Sequence, residues 1–233
     1  MTPCILNLET STSVCSVALA AGEEVLFEKA AFEGPSHAAL LGTFVSEALA
    51  ALKRTGKTLD AVAVSSGPGS YTGLRIGVSM AKGLCFGLDI PLIAVPTLDC
   101  LASQAIRQNG GASDGLYCPM LDARRMEVYA ALYDSTLQTV RPVAAEVIDA
   151  SSYASFLAEG KVYFFGNGAD KCKSLLTAPN ACFIDSVSPL ATGMIPLSLQ
   201  AFAAHRFENV AYFEPFYLKE FQATIAKNKV LGK

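Results

Sequence analysis

Two short segments concentrate residues that can handle phosphate: a hydroxyl-rich run, Thr10-Ser11-Thr12-Ser13, and a glycine-rich run, Gly67-Pro68-Gly69-Ser70-Tyr71-Thr72-Gly73. Backbone N–H and side-chain O–H groups in a tight turn can cradle a phosphate. The same hydroxyls can equally bond their own backbone. The glycine run fails both nucleotide templates. None of its glycines is followed by the Lys that a Walker loop needs. In a dinucleotide fingerprint, G-x-G-x-x-G, the third glycine would fall on Thr72; Gly73 comes one residue late, and Pro68 removes an N–H donor. A turn that sets up helix packing is the better default for this run.

Other chemistry is thinly supplied. There are two histidines: His37, at the start of the first long helix and near Glu33, and His205, whose triad would need a Ser and a carboxylate that the sequence gives no hint of. His37 is followed four residues on by Leu41, not His, so a two-histidine helix site for a metal is impossible there. Asp122-Ala123-Arg124-Arg125 follows a predicted strand. An Asp there can hold a metal or orient a base, though a salt bridge at a strand end is the commoner case. No complete catalytic set and no metal site emerge, and a partner module fits at least as well as an enzyme.

The elements that position these residues can be read from periodicity. Residues 4–8, 14–20 and 23–29 read as three short strands in a meander. A helix follows, with Ser36 as a plausible N-cap. Leu41, Val45, Ala48 and Leu52 make one apolar row, and Leu40, Phe44 and Ala51 a second beside it. One row suffices to cover a sheet, so the second is expected to face another chain in part. Residues 59–65 form a buried-strand run. Thr72 is expected to cap a second helix over 73–88, which carries Gly73, Gly77, Gly83 and Gly87. Each glycine costs roughly 0.8–1 kcal/mol in a helix interior, a cost that points to close approach of another helix. A strand at 92–95 and a helix capped by Thr97 follow, and 108–115 is the clearest linker.

Beyond it, strands are expected at 116–121, 127–133, 143–148 and 161–165. Short helices are expected from Ser151 and after Gly166-Asn167-Gly168, with a further short strand around Phe183. The pattern closes with a helix over 196–207 and a short strand at 216–218. Meander, helix, strand, helix thus occurs twice, which predicts two similar α/β halves with mixed sheets. The expected division is an N-terminal domain over 1–108, a smaller C-terminal domain over 109–218 and a basic tail over 219–233. The helix at 196–207 is a candidate to pack back on the first domain.

Composition sets the outer bounds. The 233 residues are 52% hydrophobic and only 17% charged, with a net charge of −3. That excludes a disordered chain. Because average soluble chains carry about 25% charged residues, part of the apolar surface is expected to meet a partner. A free-standing nucleic-acid binder needs a basic footprint, and the only basic stretch is the tail, with Lys219, Lys227, Lys229 and Lys233 against Glu220. Seven cysteines, an odd number without C-x-x-C, point to a reducing, cytoplasmic setting rather than a disulfide framework. No run approaches the ~20 apolar residues of a membrane span, and no signal peptide is apparent.

These motifs resemble a known family. Ile5-Leu6-Asn7-Leu8-Glu9-Thr10-Ser11 is similar to the first strand and phosphate turn of the actin-like ATPase superfamily. The run Gly67-Pro68-Gly69-Ser70-Tyr71-Thr72-Gly73-Leu74-Arg75-Ile76-Gly77 closely resembles the signature of the TsaB (YeaZ) family. So do Ser36-His37, Asp122-Ala123-Arg124-Arg125-Met126-Glu127-Val128-Tyr129 and Pro215-Phe216-Tyr217-Leu218. The resemblance implies a two-domain actin-like (ribonuclease H-like) fold. It implies a non-catalytic role in forming threonylcarbamoyladenosine next to the tRNA anticodon, beside the transferase TsaD and the ATPase TsaE, with TsaC making the adenylate.

It also implies a partner surface on the two N-domain helices, shared between TsaD and a second copy of the chain, which we place at Leu40, Phe44, Ala51, Gly73, Ile76, Gly77, Met80, Gly83 and Gly87. Thr10, Ser11 and Thr12 are then a vestigial phosphate turn, with Glu9 in place of the usual Asp. Asp122-Ala123-Arg124 replaces a glycine-rich second phosphate loop, and Gly166-Asn167-Gly168 is a remnant of an adenosine loop. The expectation is no cofactor in isolation, ATP or ADP only at the interface with TsaD, tRNA contact only through the complex, and no membrane contact. The alternatives from the enzyme classes are a glycoprotease-like metallopeptidase and a free-standing actin-like ATPase.

Overall fold

The computed structural model of the chain describes residues 2–32, 37–111 and 114–219. Five strands build a first sheet: β1 (Cys4–Glu9), β2 (Cys15–Ala21), β3 (Glu24–Ala31), β4 (Ala61–Gly67) and β5 (Leu92–Pro96). Their order is β3-β2-β1-β4-β5. The meander β1–β2–β3 is antiparallel, whereas β4 runs parallel to both β1 and β5.

The second sheet repeats the plan with β6 (Gly115–Asp122), β7 (Glu127–Tyr133), β8 (Thr139–Val147), β9 (Lys161–Phe165) and β10 (Ala181–Ile184), in the order β10-β9-β6-β7-β8. Again three strands form an antiparallel meander and two follow in parallel. The twofold α/β reading of the sequence is therefore correct.

Helices α1 (His37–Thr55) and α2 (Tyr71–Leu88) cover one face of the first sheet. Leu6, Leu8, Val62 and Val64 point toward them, and Ile5, Ala61 and Ala63 point to the other face. Burial on both sides explains why β1 and β4 are mostly apolar without strict alternation. Helix α3 (Thr97–Gln108) lies between the sheets. Its Leu98, Leu101, Ala102 and Ala105 pack with Tyr117 and Phe165 of the second sheet, while Cys100 joins the core of the first. Asp99 accepts a 2.5 Å hydrogen bond from the Tyr133 hydroxyl, which ties α3 to β7. Helix α4 (Ala154–Glu159) packs on the second sheet through Leu157. Helix α5 (Ala191–Ala203) covers the open face of the first sheet, with Met194 and Ala201 in its core.

Several expected boundaries are corrected. The last helix runs over Ala191–Ala203, not 196–207, so Pro196 lies inside it. An interior proline removes the bond to the carbonyl four residues back, at a cost of about 3 kcal/mol. Here that carbonyl, on Thr192, accepts instead from Arg107 of α3 at 3.3 Å. The expected helix after Gly168 is only a 3-10 turn, Asp170–Cys172.

Ser70, not Thr72, caps α2, and its hydroxyl accepts from Gly73 N at 3.3 Å. Thr97 is the first residue of α3 rather than its cap. No strand forms at 216–218; a single bond from Phe216 N to Ser66 O, 2.7 Å, stands in its place. Residues 204–219 form a strap across the first sheet and α2. Glu208 pairs with Leu92, and Lys82 holds the carbonyls of Ala211 and Phe213 at 3.0 Å each. Ser36 and the tail beyond Lys219 lie outside the described residues.

All seven cysteines are free, and burial pushes the Cys85 thiol up to about 11 and the Cys118 thiol up to about 12. No helix among the described residues is long and apolar enough to cross a membrane.

Candidate functional site

The hydroxyl turn between β1 and β2 is a packing hub. Glu9 ends β1 fully buried, and its carboxylate Oε1 accepts from the backbone N–H of Ser11 at 2.6 Å. Burial pushes the Glu9 pKa above the ordinary carboxyl value, and the Ser11 and Ser65 groups facing it offset this only in part. Thr10 and Ser11 are buried as well. The Thr10 hydroxyl donates to Gly73 O at 2.8 Å, Ser70 N donates to Ser11 O at 2.6 Å, and Val14 N donates to the Thr12 hydroxyl at 3.2 Å. His37 completes the hub. Its Nε2 donates to Thr12 O at 2.7 Å, which fixes the tautomer. His37 is thus a clamp on the turn, and Leu41, four residues on, is fully buried in the core. No group of three His, Cys, Asp or Glu side chains that could hold a metal occurs among the described residues.

This hub accounts for part of the glycine pattern in α2, and it corrects the expected partner surface. A Cβ on Gly73 would sit 2.1 Å from Thr10 O, and one on Gly77 2.3 Å from the Thr10 hydroxyl. Both glycines are buried and serve close approach within the chain, not to a partner. Phe44 and Ala51 are likewise buried, 5% and 7% exposed, with the first apolar row of α1. This part of the apolar arc of α1 therefore packs inward, because β3 lies on that side and Lys29 lies over the Phe44 ring, 5.0 Å from its centroid.

What remains forms one surface. Leu40, Ile76, Met80 and Leu84 are half-buried between α1 and α2, while Gly83 and Gly87 are exposed with open space where a Cβ would be. A shallow groove of about 670 Å³ runs here, lined by Ala38, Tyr71, Thr72, Arg75, Ile76 and Met80. Arg75 donates to the Tyr71 hydroxyl at 2.7 Å, and the strap's Tyr217 ring packs on Tyr71 with centroids 4.7 Å apart. The sequence reading missed Phe86, which is 86% exposed on α2 one turn beyond Gly83. A large aromatic at an outward position of α2 was the available signal.

On the second sheet, Asp122 forms the strand-end salt bridge, with Lys171, and Asn167 Oδ1 accepts from Asp122 N at 3.0 Å. These residues lock a hairpin rather than open a glycine-rich loop.

The family model described as TsaD, tRNA N6-adenosine threonylcarbamoyltransferase, matches residues 32–227. The tRNA threonylcarbamoyladenosine biosynthesis protein TsaB of Escherichia coli K12 is 30% identical over 98% of this chain and 99% of its own length. The protein of the same name from Bacillus subtilis 168 is 39% identical over 55% of this chain, and the match spans 54% of that relative. The solved structure of YeaZ from Pseudomonas aeruginosa superposes with a TM-score of 0.79 at 26% identity, covering 93% of this chain and all of that one.

Proposed function

The chain belongs to the TsaB family, and from that premise we propose that it serves tRNA threonylcarbamoyladenosine biosynthesis as a docking subunit without catalysis of its own. Its α1–α2 face receives a TsaD-type subunit, and in that subunit's absence a second copy of the chain. TsaE joins the assembled pair, which works in the cytoplasm.

The observation that carries this reading is the groove. Its apolar residues are half-buried, and Gly83 and Gly87 leave α2 bare where a partner helix would need room. Small residues permit close helix contact, and Ile76, Met80 and Phe86 supply apolar area for a standard interface of roughly 1,600 Å².

The nucleotide of the actin-like superfamily does not fit the β1–β2 turn. The Ser11 N–H that would meet a phosphate is held by the Glu9 carboxylate, and Thr10 and Ser11 are covered by α2 and its leading loop. ATP or ADP of the assembly then lies at the interface with TsaD.

Reconstitution tests the reading. Adding this chain to the TsaD, TsaE and TsaC proteins of the same organism, with tRNA, threonine, bicarbonate and ATP, is expected to give the modified adenosine. Omission of the chain is expected to abolish it. Full modification without the chain contradicts the proposal.

A further inference from the structure

The tip of the β6–β7 hairpin has no part in the groove or in the core. The chain turns there through Arg124 and Arg125, at φ +72° and +50°. Both angles lie in the left-handed region, which glycine and asparagine occupy readily and arginine does not.

The base beneath this turn is pinned from three segments. Asp122 Oδ1 accepts from Arg124 N at 3.0 Å, and Met126 O accepts from Ile148 N at 3.0 Å. Lys171 donates to Glu127 O at 2.7 Å and pairs with Asp122, while Lys219, at the end of the strap, pairs with Glu127. Each acid of the hairpin therefore has its own lysine. Arg124 and Arg125 are exposed, and neither has an ion pair among the described residues. Two uncompensated guanidinium groups thus stand on a braced, convex tip, in a chain whose net charge is −3.

We propose that this tip binds the phosphodiester backbone of RNA, a proposal that rests on the tRNA-modification role above. The planar guanidinium fork matches the phosphate oxygens in bidentate fashion. A projecting tip fits an extended backbone, whereas a free mononucleotide needs an enclosing pocket. An Arg-Arg pair held at strained angles, where Asn-Gly would close the turn more easily, fits a surface role, not a structural one.

The test uses the assembled complex and a tRNA transcript, with the double variant Arg124→Gly, Arg125→Gly. Glycine suits both backbone angles, so this variant is expected to fold at least as stably as the wild type and to assemble normally. Its tRNA affinity is expected to fall about tenfold at 0.1 M salt, and the slope of log K against log salt to shrink by about 1–2. The charge-keeping pair Arg124→Lys, Arg125→Lys is expected to retain most of the slope. Unchanged affinity and slope in an assembled glycine variant overturn the proposal while leaving the docking role intact. Loss of assembly in that variant also overturns it, because the tip is then a protein contact. If the wild-type complex neither assembles nor modifies tRNA, the docking role fails and this proposal with it.

Discussion

At the scale of single residues, the most consequential side chain is Glu9. Its position at the end of β1 was legible, and so was its departure from the usual Asp. That its carboxylate folds onto the N–H of Ser11 was not, because burial there comes from α2, more than sixty residues away. Its pKa is raised above the ordinary 4.5, chiefly by desolvation. A carboxyl whose pKa is higher folded than unfolded binds its proton more tightly in the native state. Stability attached to it is therefore fully present below about pH 4.5 and is lost as pH rises through the folded pKa. Glu9→Gln removes that loss. The stability of Glu9→Gln relative to wild type, measured by thermal unfolding, is expected to improve as pH rises above about 4.5 and to level off once pH passes the folded pKa of Glu9. A difference independent of pH contradicts a raised pKa. The same substitution is expected to leave the lone chain unable to bind ATP in a calorimetric titration, since the turn stays covered.

At the scale of elements, α2 separates two kinds of glycine that look alike in the sequence. Gly73 and Gly77 approach the β1–β2 turn, whereas Gly83 and Gly87 face open space. The sequence reading placed all four on the partner surface, because which of them met the chain's own turn depended on a contact across sixty residues. Gly73→Ala is expected to destabilise the fold by about 1–3 kcal/mol through overpacking against Thr10 O. Gly83→Arg should instead stabilise it by about 0.5–1 kcal/mol, because glycine is the poorer helix former. The melting temperature is expected to fall in the first variant by about 2–10 °C and to rise in the second by about 1–4 °C. Equal and opposite-to-expected shifts would show that the two ends of α2 have been misassigned.

Phe44 and Ala51, of the second row of α1, turn inward for a related reason. A single row suffices for a flat sheet, but β3 and Lys29 extend the covered surface under Phe44. The late start expected for α5 came from reading Pro196 as a helix opener. Arg107, reaching the Thr192 carbonyl, supplies the compensation that a local reading does not contain.

At the scale of the whole molecule, the repeated strand order was the most legible feature, because alternating periods and turn residues are local. The placement of α3 between the sheets, of α5 on the first sheet and of the strap across α2 was set by long-range packing that no spacing rule predicts. The strap brings Tyr217 to the edge of the groove and Lys219 to the hairpin, so one segment touches both surfaces assigned a role here. The central claim concerns the first of them, that the α1–α2 face docks a TsaD-type subunit.

Size exclusion with light scattering, on wild type and on Gly83→Arg, alone and mixed with the TsaD protein of the same organism, tests it most directly. The wild-type chain is expected at about 49 kDa, twice the 24.5 kDa chain mass, and to exchange that partner for TsaD when mixed. Gly83→Arg, folded and more stable, is expected to run as a monomer and to ignore TsaD. A Gly83→Arg protein that still pairs with TsaD as the wild type does would contradict the assignment of this face.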